Sequence, residues 1–166
     1  MIMRRSLLAS VLSFLLIGVV GGLLWGDGPA AAANVKSTRT ILVGGTVTVN
    51  APEVIAFSGN VQIKTVLVPD PDFRLPPLVH VSIDFLDVQG LGQTTKTKYF
   101  ANGADELNRA FRASDQLDLT FGIITETDRS TSVGTGLVTL TLTFDTAGNL
   151  TSATGSVGNN PFAPNL

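Results

Sequence analysis

Nucleophilic catalysis by a hydroxyl needs a base within hydrogen-bond reach. This chain of 166 residues holds one histidine, His80, two positions before Ser82 and four before Asp84. On an extended strand the three share a face, so the residue types of a serine, histidine and acid set line up. Neighbours at that spacing stand parallel, with Cβ atoms roughly 6 to 7 Å apart, and the opposite face carries Val79, Val81, Ile83 and Phe85. The pattern is that of a solvated strand face, and no catalytic residue is assigned to it.

Carboxylates offer two other chemistries: pairs hydrolyse glycosides, and clusters bind calcium. The candidate pairs are Asp70 with Asp72, Asp84 with Asp87, and Asp115 with Asp118. Asp70 and Asp72 lie among Pro69, Pro71, Pro76 and Pro77, where restricted backbone angles present two oxygens to one cation. They are the candidate metal ligands, with calcium the metal that their oxygens suit. Calcium takes six to eight oxygens, and no loop supplies three acids at alternate positions, so no cofactor is assigned. Asp145, Gly148 and Asn149 resemble a metal loop only superficially. Asp and Asn bond their own backbone and Gly accepts positive φ, which makes the cluster a turn.

The absence of cysteine removes thiol catalysis, thiolate metal sites and haem attachment, and one histidine rules out His-rich zinc or copper sites. Gly44 and Gly45 precede a strand rather than a helix and make no phosphate cradle. Thr46 with Thr48, and Thr139 with Thr141 and Thr143, form Thr-x-Thr ladders that would line hydroxyls and methyls along a strand. Such rows can order water as an ice-binding surface does, but threonine is also an ordinary exposed strand residue, and no repeat keeps the array flat. Asn149, Leu150 and Thr151 match a glycosylation sequon, read as chance in a chain of bacterial character.

These residues must be positioned by strands, because almost every segment of the chain after residue 33 alternates with a period of two. Val47 and Val49 alternate with threonines. Ile55, Phe57, Val61 and Ile63 share a face up to Val68, with Gly59 marking a bulge or a close backbone approach. The prolines of 69–77 make a loop. The apolar phase shifts after Phe85 to Leu86 and Val88, which predicts a bulge. Gly90 and Gly92 predict a turn, with 95–101 returning. Residues 104–113 fit a short helix or a strand bearing Leu107 and Phe111. Leu117 to Ile123 and Val138 to Phe144 alternate cleanly, the polar stretch 125–136 lies between them, and Asp145 to Asn149 closes a hairpin returning over 150–157.

The fold expected is all-β: a single antiparallel β-sandwich of seven or eight strands, immunoglobulin-like or jelly-roll-like, with a small β-barrel as the alternative. A signal-peptide helix is expected before it. Arg4 and Arg5 precede an uncharged run from Leu7 to Trp25, and Ala30 to Ala33 suit a signal peptidase, so residues 1–33 read as an export signal cleaved after Ala33. The rival is an uncleaved membrane anchor. Met3 fits a twin-arginine signal poorly, and a lipoprotein signal would need a cysteine. The domain then spans 34–157, and 158–166 form a flexible C-terminal tail.

Without residues 1–33 the chain carries nine basic and twelve acidic side chains, a formal charge of −3, with no electrostatic footprint for nucleic acid. The reading is a secreted, periplasmic or cell-surface domain that is not an enzyme. It binds a protein or glycan, or associates with itself, through the loops 69–77 and 125–136. The alternatives are an extracytoplasmic hydrolase using Asp70, Asp72, Asp84 and Asp87, and a subunit of an extracellular fibre or coat.

Overall fold

The computed structural model describes residues 35–49, 53–68 and 76–161, and among these the secondary structure consists of strands alone. There are nine: β1 (Val35–Val49), β2 (Glu53–Val68), β3 (Leu78–Phe85), β4 (Gln89–Gly92), β5 (Lys98–Asn102), β6 (Ala104–Ala110), β7 (Ser114–Thr125), β8 (Gly134–Phe144) and β9 (Leu150–Asn159). The protein is all-β, with two or one strands more than the alternation predicts. The segment read as a signal-peptide helix and its cleavage site lie outside the described residues.

All nine strands belong to one mostly antiparallel sheet in the order β1-β9-β8-β7-β5-β4-β2-β3-β6, and β1 also pairs β2. The β1–β2 ladder runs unbroken from Val35↔Leu67 to Val49↔Glu53. On its other side β2 divides its pairing, with Ile55 to Ser58 against β4 and Val61 to Val68 against β3. Gly59 sits at the division, and a Cβ there would strike the Asp87 carbonyl. The close backbone approach expected at this glycine is therefore present, and the expected bulge is the bend over Leu86–Val88 between β3 and β4. Gly45 serves the parallel contact of β1 with β9, made at Gly45↔Val157, where a Cβ would strike the Val157 carbonyl.

The turn predicted at Gly90 and Gly92 is corrected. Both glycines are buried within β4, and the chain reverses at Gln93–Thr95. Their lack of a side chain is a packing requirement: a Cβ on Gly90 would crowd Ile55 and Phe57, and one on Gly92 would meet Glu53 and Thr95. Residues 104–110 take the strand alternative. At the hairpin after β8, the Asp145 carboxylate accepts the N–H groups of Ala147 and Asn149 at 2.9 and 2.8 Å, and Gly148 has φ 86°. Those interactions are the turn chemistry that its residue types imply.

The alternate residues of β2, β3, β7 and β8 form one core. Phe121 of β7 is at its centre, 1 % exposed, with ring centroids 5.5 Å from Phe57 and 5.6 Å from Phe85. Its register partner on β8 is Gly136, where any Cβ would overlap the ring. Burying aromatic and aliphatic side chains at about 1.5–3 kcal/mol each is the main favourable contribution in a chain without disulfides.

Candidate functional site

The outward faces of β2, β3 and β6 carry the histidine. His80 Nδ1 lies 3.0 Å from Asn108 Oδ1, and its Nε2 lies 4.0 Å from Glu106 Oε2. Lys64 donates to Asp84 at 3.1 Å. The ladders set Lys64, Ser82 and Glu106 side by side across the three strands, with Gln62, Asp84 and Ala104 as the next row. Each polar group of the supposed triad thus has a cross-strand neighbour of its own. Ser82 lies beside Lys64 and Glu106, and Asp84 is held by a lysine rather than by the histidine.

The carboxylates separate likewise. Asp115 receives two hydrogen bonds from Arg109, Nε at 3.0 Å and Nη2 at 3.2 Å, and these hold the guanidinium pKa above its ordinary value. Asp118, three residues on and so on the other face of β7, accepts the Thr139 hydroxyl at 2.7 Å. Asp87 accepts from Gln89 Nε2 at 3.1 Å. Asp70 and Asp72, the candidate metal ligands, lie outside the described residues with most of the proline loop. Among the described residues no group of three or more acid or histidine side chains is placed to hold a metal.

The threonine ladders do share faces. Thr139, Thr141 and Thr143 stand on β8 between Asp118, Gln116 and Ser114 of β7 and Ser156, Thr154 and Ser152 of β9, a field of short polar side chains on the outward face.

One depression does bring separate elements together. Phe85, Leu86, Asp87, Val88 and Gln89 from the β3–β4 bend and Phe100 and Ala101 from β5 line an open hollow of about 350 Å³. The bulge creates it: Leu86 N–H donates to Asn60 and Ala101 N–H to Val88, so the bent chain is tied down on both sides while Leu86 and Asp87 project outward. The Arg129 guanidinium stands 5.1 Å from the Phe100 ring centroid, a cation–π contact between the hollow and the β7–β8 loop.

That loop, Glu126–Val133, belongs to the polar stretch predicted as a contact region, and it is internally braced. Asp128 Oδ1 accepts the Ser130 N–H at 2.9 Å, the Ser130 hydroxyl at 2.7 Å and the Thr131 N–H at 3.2 Å. These donors, led by Ser130, pull the Asp128 pKa down to about 2. Ser132 Oγ donates to the Gly134 and Ile123 carbonyls, anchoring the loop's far end.

A carboxylate, an amide, two phenylalanine rings and a nearby guanidinium around one hollow can hydrogen-bond a polar ligand and cover its apolar side. The phase shift after Phe85 pointed to this place. Phe100 and Arg129 carried no sequence signal, because their meeting depends on the pairing of β5 with β7. Comparison of the chain with family models, curated proteins and solved structures finds no match.

Proposed function

We propose that this protein is an exported, non-catalytic β-sandwich module that binds a protein or glycan ligand at the hollow between the β3–β4 bend and the β7–β8 loop. The observation that carries the reading is the juxtaposition of Asp87, Gln89 and Phe100 on braced segments, with Arg129 against the ring. Rigid strands hold both segments, as recognition loops require. The hydrolase alternative draws no support from Asp84 and Asp87, which accept hydrogen bonds from a lysine and a glutamine.

The sandwich is favoured over the barrel because pairing thins at two seams. β1 and β9 share a single bridge, and β7 pairs β5 only from Gly122 to Thr125. Side chains of β2 and β3 face those of β7 across the core, as the contacts of Phe121 with Phe57 and Phe85 illustrate. Export rests on Arg4, Arg5 and the apolar run to Trp25, and mass spectrometry of the N-terminus of the protein from its host tests it.

The binding test is capture of glycans on an array and of surface proteins from the host, with Phe100→Ala and Asp87→Ala beside the parent chain. Ligands held by the parent and lost by both variants support the reading. Equal capture by all three overturns it.

A further inference from the structure

We propose that the free edge of β6 is a self-association site at which two copies of this chain pair antiparallel, centred on Leu107. Among the described residues β6 is the last strand of the sheet order and pairs β3 on one side alone. Phe111 donates its N–H to Pro77 on the β3 side. By alternation, residues 105, 107 and 109 also bond toward β3, and the N–H and C=O groups of 104, 106, 108 and 110 point off the open edge. The Glu106 N–H accordingly turns to the Asp105 carboxylate, 2.8 Å away, rather than to a neighbouring strand.

An exposed strand edge is a template for another strand, and proteins guard such edges with charge. In β6 the charges guard selectively. The sequence Ala-Asp-Glu-Leu-Asn-Arg-Ala matches its own reverse in character. Pairing centred on Leu107 sets Asp105 opposite Arg109 of the second copy and Arg109 opposite its Asp105. On the other face Glu106 meets Asn108, and Ala104 meets Ala110. The parity agrees: 106 with 108 and 104 with 110 become hydrogen-bonded pairs, whereas 105 with 109 are the closer, non-hydrogen-bonded pairs in which side-chain attraction is strongest. Centring on Glu106 would oppose two carboxylates, and centring on Asn108 would lose both ion pairs.

Arg109 has donors to spare. Asp115 engages two of its five N–H groups, which leaves three for the incoming Asp105. The result is an isologous two-fold contact in which main-chain bonds supply affinity and the mirrored charges choose a second copy over other strands. The proposal extends the interaction-module reading. It is read by self-association, whereas the hollow is tested by ligand capture, so either can fail alone.

The test uses the chain as its host produces it, in sedimentation across a concentration series. The parent should form a dimer. Asp105→Arg, which opposes two arginines at both symmetric positions, should weaken that dimer about tenfold or more, while circular dichroism shows the monomer folded. Because the chain lacks cysteine, Leu107→Cys should form a disulfide dimer under mild oxidation, and Asp105→Cys, whose own copy lies off register, should not. A parent that sediments as a monomer throughout overturns the proposal. So does a dimer that Asp105→Arg leaves intact, or Leu107→Cys linking no faster than Asp105→Cys.

Discussion

β6 and β7 are consecutive strands joined by a short connection, and they meet opposite fates. β7 buries Leu117, Leu119, Phe121 and Ile123, whereas six of the seven residues of β6 are exposed and Leu107 alone is half-buried. The difference is what lies beside each strand. β7 has β8 along most of its length and faces the rings of Phe57 and Phe85, while β6 has β3 on one side and, among the described residues, no strand on the other. Burial here follows from neighbours supplied by distant chain, and a strand's own alternation decides only which residues point inward.

The sharpest way to break this comparison is to truncate one inward residue on each strand. Phe121→Ala removes the ring shared by two aromatic contacts and leaves a cavity that β-strands cannot easily collapse, so it should cost about 3–5 kcal/mol in urea unfolding. Leu107→Ala, at a half-buried position on the edge, should cost about 1 kcal/mol. Equal losses would mean that β6 is as integral to the core as β7.

The same contrast explains what was legible. β7 and β8 were readable residue by residue because Leu117 to Ile123 and Val138 to Phe144 alternate without interruption, and every inward residue proved buried. β6 stayed open between helix and strand because an edge strand needs charge, and charge erases periodicity. The first half of β1 gave no signal at all. Its inward positions include Ser37 and Arg39, which reach the backbone of Leu150, Ser37 Oγ accepting its N–H and Arg39 Nε donating to its carbonyl. It is a strand because β2 pairs it throughout. Gly90 and Gly92 looked like a turn because glycine's two uses, tight reversal and close packing, are identical in sequence. At the candidate site the bulge was readable, and its partners Phe100 and Arg129 were not, since a pairing register decides them.

A smaller effect of opposite sign should appear on β2, where Thr65 is 2 % exposed and its hydroxyl has no hydrogen-bond partner among the described residues. β2 has partner strands on both sides at this position, so its inward side chains are dry, unlike those of β6. An unmet buried hydroxyl is costly, and valine has nearly the same shape, so Thr65→Val should raise stability by about 1 kcal/mol in thermal or urea unfolding. A loss instead would show that the hydroxyl is satisfied in solution.

The smallest expected effect separates loop from strand rather than strand from strand. Asp128 is fully exposed, and its pKa of about 2 comes first from the Ser130 hydroxyl and N–H, then from Thr131. A carboxylate held below its unfolded value of about 3.9 contributes fully above that value and loses its contribution as pH falls through about 2. The bracing of the β7–β8 loop should therefore persist at pH 4 and loosen toward pH 2. Nuclear magnetic resonance should show the Ser130 and Thr131 amide shifts titrating with a midpoint near about 2, while amides of the buried β7–β8 ladder stay constant over the same step. Asp128→Asn should abolish that titration at any pH. If the Thr131 amide titrated instead near the unfolded value, the carboxylate would be free in solution and the rim of the hollow beside Phe100 would lack the rigidity that the proposed ligand binding requires.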